Sequence, residues 1–530
     1  GLRGHVFKLA DYPDGFSLLL DMEYIRLVFP RLQLSGVAGA TIDLGYTEHL
    51  WRDNMHLRLQ HNYVATDRLL CSRDTIDWLC PHPRGFRYLM ITVRNAKSDV
   101  VLKDIALRSA GYPVKHTGSF KCSDKLLTAV WEMGALTQET NMEDAYVDCV
   151  GRERGMYGRD TIIQYHVNLA AFGDHALMGR CMQLYGQSPD STGKFRAVYP
   201  NTGDYTIADF ALNMVEGYLN YYENSGDLDR IREDWDAIMK NMAWFSSLSD
   251  ERKDLLLDGE WHLHKGIKAH YGGFHGDLTS DGYMSKKGIH CSFTCTYLIA
   301  LRSAIKLGKL LGESEAVKDM ERRVKILSQS IRTKFWNPKK RCFSDNLKRE
   351  THSAHASILA VLAGAVSKQQ LPHVRAHIAN ELKSIFVNGY DPKDGAICSP
   401  NYAFYLFDGV YRLGLPETAE GMMRQGWGWM LAQGMKTCGE YFTLGSSLCH
   451  AWSAAPTYYL SRNVLGVHYP NAPECGIVEI RVAASKDVTW AEGAYPHPKG
   501  AIKVKWHMEN GRRVFDHVKA PRGVTVRSVK

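Results

Sequence analysis

The chain has no apolar run of the roughly 18 to 20 residues that a membrane-spanning helix needs. It also contains no Asn-X-Ser/Thr acceptor, which disfavours a secreted eukaryotic glycoprotein. The 12 cysteines are scattered over 530 residues rather than grouped into a framework, so we expect buried free thiols. Because no dense basic run is interleaved with aromatic residues, we expect no nucleic-acid partner.

The first residues lack the basic, apolar and small-residue order of a signal peptide. The sequence does not fix the compartment, although a bacterial periplasm or cytoplasm is favoured. A signal peptide removed by processing is also compatible with this sequence.

The composition is that of a globular protein, with 45% hydrophobic, 23% charged and 11% aromatic residues. A chain of 530 residues suits two or three domains rather than one. The net charge of +8 is mild for this length. A basic surface suits an acidic polysaccharide, but solvation of surface lysines and arginines explains the charge equally well.

Three stretches of different character follow one another. Residues 1–115 contain short β-branched and aromatic segments, of which Phe86 to Val93 is the clearest strand. Residues 116–465 are dominated by helical periodicity, beginning with the N-cap signal around Ser123 and Asp124. Residues 466–530 return to strands and include the hairpin turn Asn510-Gly511. We predict a β-sandwich domain, a helical domain and a small antiparallel β domain.

The helical stretch resolves into consecutive pairs joined by short Gly, Pro or Ser segments. The predicted helices are 123–140, 161–185, 206–225, 227–247, 289–311, 313–335, 351–366, 369–386, 401–413, 416–432 and 447–465. Such pairing predicts a closed (α/α)6 barrel, so the expected fold is multidomain and mainly α. An open solenoid of helix pairs is the alternative, but no repeat of fixed period supports it.

The most unusual segment of the chain is Asp148 to Asp160. It places three carboxylates among three arginines and then leads into a long apolar segment. Glycines, Met156 and Tyr157 interrupt the charges, which favours a tight turn facing a cavity over an exposed helical face. A carboxyl group among arginines and an aromatic ring is one whose proton affinity a protein can tune. A solvated structural loop is the alternative interpretation.

A second isolated acid, Glu440, lies between two predicted helices in an aromatic and small-residue loop. Hydrolysis of a glycosidic bond usually needs two carboxyl groups that flank the bond. Helical barrels supply such pairs from loops that are far apart in sequence but share one mouth. Glu153 and Glu440 are the candidates, although a surface glutamate is an equally good reading of Glu440 alone.

The Asp148–Asp160 segment resembles the signature of the α-L-rhamnosidases of glycoside hydrolase family 78. That signature reads Asp-Cys-Pro-X-Arg-Glu-Arg in its shorter form, followed by Gly-Trp-X-Gly-Asp. The matching residues are Asp148, Cys149, Arg152, Glu153, Arg154 and Asp160. The family's second signature, an acid between aromatics followed by Ser-Leu-Asn-His, is similar to the segments 439–442 and 447–450. The resemblance extends over the whole chain, without the additional sugar-binding modules of longer members.

The resemblance implies a role for each matching residue. Glu153 would be the general acid and Glu440 the general base of an inverting mechanism. The remaining implied substrate contacts are Asp148, Arg152, Tyr157, Asp160, Asp204, Trp261 and His450. Inversion rather than retention follows from the family alone, because the residues themselves do not distinguish the two.

Several signature positions depart from the family. The proline is Val150, the tryptophan is Tyr157, and the asparagine before His450 is Cys449. Tyr157 offers a smaller stacking surface than tryptophan. Arg159, which replaces a glycine, suggests a carboxylate or sulfate partner and hence an acidic sugar beside the rhamnose. The reaction type is therefore better defined than the sugar.

A metal site is not expected. The histidines at 262, 264, 270 and 275 lack a convincing ligand set, and no cofactor motif occurs elsewhere. Cys149 has no evident base beside it, which favours a structural thiol over a nucleophile.

We expect an exo-acting inverting glycoside hydrolase that removes terminal α-L-rhamnose from oligosaccharides, polysaccharides or glycosides. The alternatives are an (α/α)6 glycosidase for another deoxy or uronic sugar and a non-catalytic carbohydrate-binding relative. A uronate lyase is a further alternative, which an unsaturated product absorbing in the ultraviolet would identify.

Overall fold

The structure is a computed structural model. It describes residues 3–50, 57, 65–201, 206–250, 252–258, 277, 283–285, 287–387, 395–469 and 476–528. Among these residues no helix is both long enough and apolar enough to cross a membrane.

The N-terminal region is a β domain built on one very long strand. Its strands are β1 (His5–Phe7), β2 (Phe16–Ser35), β3 (Thr41–Thr47), β4 (Ala65–Leu70), β5 (Thr75–Leu79), β6 (Arg84–Arg94) and β7 (Val100–Ser109). The first half of β2 pairs with β6, and its second half pairs with β7 and β5. Because β2 pairs with different strands along its length, the sheet curls and encloses a hydrophobic core. Alternating residues of β2, β3 and β6 form that core.

The helical region begins with a cap that the sequence predicts. Asp124 accepts hydrogen bonds from the backbone N–H groups of Leu126 and Leu127 at 2.8 and 3.2 Å. The helices are α1 (Lys125–Thr140), α2 (Gly158–Ala171), α3 (Ala176–Gly186), α4 (Ala208–Ser225), α5 (Leu228–Ser247), α6 (Cys291–Leu311), α7 (Ser314–Ser330), α8 (Ala354–Leu362), α9 (Leu371–Glu381), α10 (Pro400–Arg412), α11 (Pro416–Ala432) and α12 (Ala455–Tyr459).

The even-numbered helices form a closed inner ring. Helix α2 packs on α4, α4 on α6, α6 on α8, α8 on α10, α10 on α12, and α12 returns to α2. The odd-numbered helices lie outside this ring. All residues of α2 are buried, as expected for a helix with neighbours on every side. The predicted (α/α)6 barrel is confirmed, and closure through α12 and α2 excludes the open solenoid.

Beyond shifted ends, such as those of 369–386, which is helical over Leu371–Glu381, two of the predicted helices differ in kind from the observed ones. The segment 161–185 is two helices, because Gly173 adopts a left-handed φ of 71° and ends α2. The segment 447–465 starts later than predicted, with a 3-10 turn (Ala451–Ala454), then α12, then a π-helix (Leu460–Val464). Residues 447 to 450 are not helical, because their backbone groups bond to the Glu440 loop.

The C-terminal region contains two small sheets. Its strands are β11 (Val467–His468), β12 (Ile477–Ile480), β13 (Trp490–Tyr495), β14 (Ile502–Glu509), β15 (Arg512–Lys519) and β16 (Thr525–Ser528). A strand that precedes the barrel, β8 (Ser119–Cys122), joins the sheet in the order β15-β14-β13-β8. Asn510 and Gly511 both have positive φ, as the predicted hairpin turn between β14 and β15 requires. A short hairpin within the barrel region pairs β9 (Trp336–Asn337) with β10 (Cys342–Phe343).

The cysteines behave as the sequence predicts. The eleven that the structure describes are all buried free thiols. Burial raises the pKa of Cys149 well above its usual value, as expected for a structural thiol.

Candidate active site

Two loops at one end of the barrel meet through their backbones. The first joins α1 to α2 and carries residues 148–157, and the second follows α11 and carries residues 437–450. Cys149 and His450 form an antiparallel bridge, and the N–H of Ala451 donates to the carbonyl of Asp148 at 3.0 Å. The N–H of His450 donates to the carbonyl of Cys438 at 2.8 Å. The two carboxylates predicted from distant parts of the sequence therefore share one site.

Arg152 connects these two carboxylates directly. One of its terminal nitrogens contacts Glu153, and the other lies 3.0 and 3.1 Å from the two oxygens of Glu440. The side chain of Glu153 is about one-third exposed, whereas that of Glu440 is almost completely buried. One carboxylate is thus open to an entering molecule, while the other is held at the bottom of the site.

Glu440 is held in its ionised form. Burial alone would raise its pKa, but the charges of His450 and Arg152 and the hydroxyl of Ser446 outweigh burial, so the pKa is lowered. The Ser446 hydroxyl donates to Oε2, and His450 Nδ1 lies 4.0 Å from the same oxygen. A buried carboxylate that stays ionised has the charge state required of a base.

His450 lies between three carboxylates. Its Nε2 is 3.2 Å from Asp160 Oδ1, and its ring packs against Trp452 with the ring centroids 4.2 Å apart. Burial alone would lower its pKa, but Asp160, Glu440 and Asp148 raise the pKa to about 9. The imidazole therefore carries a positive charge near neutral pH, which compensates part of the surrounding negative charge.

Asp148 and Asp160 each keep one buried oxygen without a hydrogen-bond partner among the described residues, Oδ2 in both cases. The other oxygen of Asp148 accepts from the N–H of Gly155 at 2.8 Å. Burial raises the pKa of Asp148 to about 7 and also raises that of Asp160. Buried polar atoms without partners are rare in proteins, and they are suited to accept hydrogen bonds from a ligand's hydroxyl groups.

The N-terminal β domain supports both loops. Glu48, which follows β3, is buried and accepts from the N–H of Leu448 at 2.5 Å. A Cβ atom added to Gly151 would lie 3.0 Å from Glu48 Oε1, so this carboxylate touches the first loop as well. Glu48 is not predicted from the sequence, because no local pattern distinguishes it from a surface glutamate.

Other predicted residues have different positions. Tyr157 is half-buried at the N-terminus of α2 and packs partly against the core. Arg159 is buried, its Nε donates to Asn213 Oδ1 at 3.0 Å, and its guanidinium pairs with Asp209, while the acidic sugar stays a prediction. Asp204 and Trp261 lie outside the described residues, as do the histidines at 262, 264, 270 and 275.

Two buried groups among the described residues bring three possible metal ligands within 4.8 Å of one another. One consists of Asp148, Cys149 and His450 inside the site, and the other of Asp277, His355 and Cys398. In the second group His355 Nε2 is already 2.9 Å from Asp277 Oδ2. The absence of a metal requirement stays a prediction.

A ring of six helical hairpins with two carboxylates on adjoining loops defines the class of six-hairpin glycosidase folds. Residues 115–464 match the model of the bacterial alpha-L-rhamnosidase 6 hairpin glycosidase domain. Residues 466–529 match the bacterial alpha-L-rhamnosidase C-terminal domain. The chain belongs to the bacterial α-L-rhamnosidases of glycoside hydrolase family 78, as the sequence resemblance predicts.

Solved structures show the same architecture. A GH78 family rhamnosidase of Bacillus sp. GL1 is 26% identical with a TM-score of 0.85, over 97% of this chain and 53% of that chain. A rhamnosidase from Klebsiella oxytoca with rhamnose bound is 20% identical with a TM-score of 0.69, over 84% and 87%. An α-L-rhamnosidase of Streptomyces avermitilis complexed with L-rhamnose is 17% identical with a TM-score of 0.77, over 99% and 49%.

The chain spans about half the length of the Bacillus and Streptomyces proteins. No match was found among curated protein sequences.

Proposed function

We propose that the protein is an exo-acting, inverting α-L-rhamnosidase that removes terminal rhamnose from a carbohydrate. The observation that carries this proposal is the guanidinium of Arg152, which joins Glu153 to Glu440, although Arg152 and Glu440 are 288 positions apart in the chain. Membership of the rhamnosidase family and the bound rhamnose in the Klebsiella and Streptomyces structures support the choice of sugar.

Glu153 acts as the general acid in this mechanism. It is the more exposed of the two carboxylates and belongs to the matched signature. It donates a proton to the glycosidic oxygen, so that the leaving group departs as an alcohol rather than as an alkoxide. Because Arg152 now contacts Glu153, an entering sugar has to displace this contact before the acid faces the glycosidic oxygen.

Glu440 acts as the general base. Its lowered pKa keeps it ionised, and it removes a proton from the water that attacks the anomeric carbon. Inversion requires the two carboxyl groups to be roughly 6.5 to 9.5 Å apart, so that a water molecule fits beside the sugar. Asp148, Asp160 and His450 orient the terminal sugar through its hydroxyl groups, using the unpartnered atoms at the bottom of the site.

Replacing each proposed catalytic carboxylate tests the proposal. Glu153→Gln and Glu440→Gln should each lower kcat on an aryl α-L-rhamnoside by about 10²- to 10⁴-fold, because each removes one proton-transfer step. Glu321→Gln is the matched control, since Glu321 is a half-exposed residue of α7 that pairs with Lys309 on the barrel exterior. Near-normal turnover by either active-site variant would show that the assigned roles are wrong.

A panel of aryl glycosides tests the choice of sugar. The altered signature positions, Tyr157 among them, leave another deoxy sugar or a uronic sugar as the second candidate. Release from the α-L-rhamnoside at a higher kcat/KM than from the other glycosides is the expected result. Preference for a uronide would replace rhamnose in the proposal while keeping the two carboxylates.

A further inference from the structure

A cleft of about 630 Å³ lies between the barrel and the C-terminal β domain. Four arginines and a single aspartate are among the residues that line it: Asp408, Arg412, Arg462, Arg481 and Arg513. They come from the end of α10, the π-helix after α12, the residue after β12, and β15. The basic character of this cleft is therefore assembled from four separate parts of the chain.

Two of the four arginines each have a carboxylate beside one nitrogen, and Arg481 stays half-exposed and accessible to a ligand. Arg412 pairs with Asp408 at 2.7 Å, and Arg481 lies 3.3 Å from Glu479. Arg462 and Arg513 form no direct ion pair among the described residues, although the charge of Asp408 also acts on Arg462. Arg513 Nη1 donates to the carbonyl of Val482 at 3.0 Å, but its buried Nε has no partner there. Partly buried guanidinium groups whose positive charge is not fully compensated are the usual donors to carboxylates, sulfates and phosphates.

The neighbouring histidine is adapted to this positive environment. His468 Nδ1 accepts a hydrogen bond from Arg462 Nε at 3.1 Å, which requires an unprotonated Nδ1. Its Nε2 lies 3.1 Å from the carbonyl of Arg481 and donates to it. Burial, with the charges of Arg462 and Arg481, lowers the pKa of His468 to about 3. His468 is thus neutral, and it orients Arg462 without competing for an anion.

The size and the aromatic lining of the cleft indicate more than a small ion. Its volume falls within the roughly 300 to 1,000 Å³ of typical small-molecule sites, far more than one phosphate ion needs. Phe515, which is 36% exposed, lies on the same wall. Tyr411 also lines the cleft, and its buried hydroxyl has no partner among the described residues. Aromatic faces beside polar groups are suited to sugar rings.

This cleft is distinct from the site that holds Glu153 and Glu440. Tyr402, in the first turn of α10, lies with Arg159 on the side of the barrel that carries the catalytic loops. Arg412 lies ten residues further along the same helix, a distance of about 15 Å. An acidic group bound here is not the sugar next to the hydrolysed bond.

We propose that the cleft between the barrel and the C-terminal domain is a second carbohydrate site. It binds an anionic oligosaccharide, whose acidic sugar units contact the arginines through their negatively charged oxygens. The site is independent of hydrolysis and holds an acidic part of a polymer at a distance from the catalytic carboxylates. The sequence suggests Arg159 as the partner of an acidic sugar. The arginines of the cleft take that role in this proposal.

Calorimetric titration of the full chain tests this site with three probes. Trigalacturonate carries both the sugar and the charge, maltotriose carries the sugar alone, and inorganic phosphate carries the charge alone. We expect trigalacturonate to bind at least tenfold more tightly than either other probe. Its affinity should fall as the salt concentration is raised. If maltotriose bound as tightly as trigalacturonate, charge would have no role in binding and the proposal would be wrong. If phosphate bound as tightly, the cleft would be an ion site and not a sugar site.

Matched arginine variants locate the binding. Arg481→Gln and Arg513→Gln should each weaken the binding of trigalacturonate about tenfold or more. This is the loss of affinity expected when one hydrogen bond to a charged group is removed. Arg512→Gln should not, because Arg512 is exposed and does not line the cleft. Arg481 is half-exposed, so its replacement keeps the test valid if Arg513→Gln fails to fold. Unchanged affinity in both cleft variants, or no binding of trigalacturonate at all, would overturn the proposal.

Competition with L-rhamnose separates this inference from the proposed function. Rhamnose should not displace trigalacturonate if the two ligands bind at different sites. Displacement by rhamnose would place the acidic sugar in the catalytic site and overturn the second site. Since none of the probes contains rhamnose, loss of rhamnosidase activity would leave this binding result unaffected.

Discussion

At the scale of single residues, the site is organised by charge compensation. Glu440, Asp148 and Asp160 are buried together, and carboxylates taken out of water are costly unless cations accompany them. Arg152 and His450 are the nearest cations, and both contact Glu440 or its neighbours. Local sequence predicts the acids, but it does not reveal Ser446 as a donor to Glu440, because the contact depends on how the loop folds back.

The charge on His450 leads to a prediction about pH. Its pKa is raised from 6.5 to about 9 in the folded protein, so the stability gained from binding its proton is fully present below pH 6.5. That stability is lost as the pH rises towards 9. The wild type should therefore melt at a higher temperature than His450→Gln at pH 6.5, and the difference should shrink by pH 9.

The control for this experiment is His116→Gln, because His116 is exposed and far from the buried carboxylates. Thermal melts of the three proteins at several pH values provide the comparison. A difference between the wild type and His450→Gln that stays constant from pH 6.5 to 9 would contradict the charged state assigned to this histidine.

At the scale of helices and loops, α11 supports the loop that carries Glu440. The ring of Phe442 packs edge-on against Trp427 of α11, with the centroids 5.6 Å apart. Gly426, the residue before Trp427, leaves room for that ring, because an added Cβ would lie 2.6 Å from its edge. Gly421 lies one turn and a residue earlier in the same helix, where a Cβ would meet no atom within 4 Å.

The same substitution at these two glycines should have opposite effects. Gly421→Ala should stabilise the protein by roughly 0.5 to 1 kcal/mol, because alanine loses less backbone freedom on folding than glycine. Gly426→Ala should lower both the melting temperature and kcat, because Phe442 has to move and the Glu440 loop moves with it. Melting curves and rates on an aryl rhamnoside measure both effects. A Gly426→Ala protein as active and stable as the wild type would show that this packing does not position the base.

The sequence predicts elements well where a signal is local. Asp124 as a helix cap and Asn510-Gly511 as a hairpin turn are both confirmed, because each acts on its immediate neighbours. The break at Gly173 was missed because apolar residues continue at helical spacing on both sides of it. The non-helical backbone of residues 447 to 450 was missed for a different reason, since its hydrogen bonds go to residues 438 and 440.

At the scale of the whole molecule, the N-terminal β domain is part of the site's support. Glu48 bonds to Leu448 across 400 positions of the chain, a pairing that no sequence pattern could have indicated. Gly85 of β6 also approaches the signature loop, since a Cβ there would lie 2.4 Å from the carbonyl of Val150. The β domain and the barrel are therefore expected to depend on each other for stability and for activity.

Replacing the carboxylate of Glu48 tests this dependence. Glu48→Gln places an amide near the N–H of Leu448, and loss of the buried charged hydrogen bond should cost about 1 to 3 kcal/mol. We expect a lower melting temperature together with a lower kcat, although Glu48 is not one of the two proposed catalytic carboxylates. Glu23→Gln is the control, because Glu23 is an exposed residue of the same domain. Unchanged activity in Glu48→Gln would mean that the β domain does not position the loops.

In the proposed mechanism Glu153 and Glu440 act as acid and base on opposite sides of a rhamnosidic bond. A proton NMR time course of an aryl α-L-rhamnoside with the wild-type protein tests it most directly, because it identifies both the released sugar and its first-formed anomer. We expect β-L-rhamnose to appear first and then to mutarotate, as inversion requires. Appearance of α-L-rhamnose first, or no release of rhamnose, would contradict it.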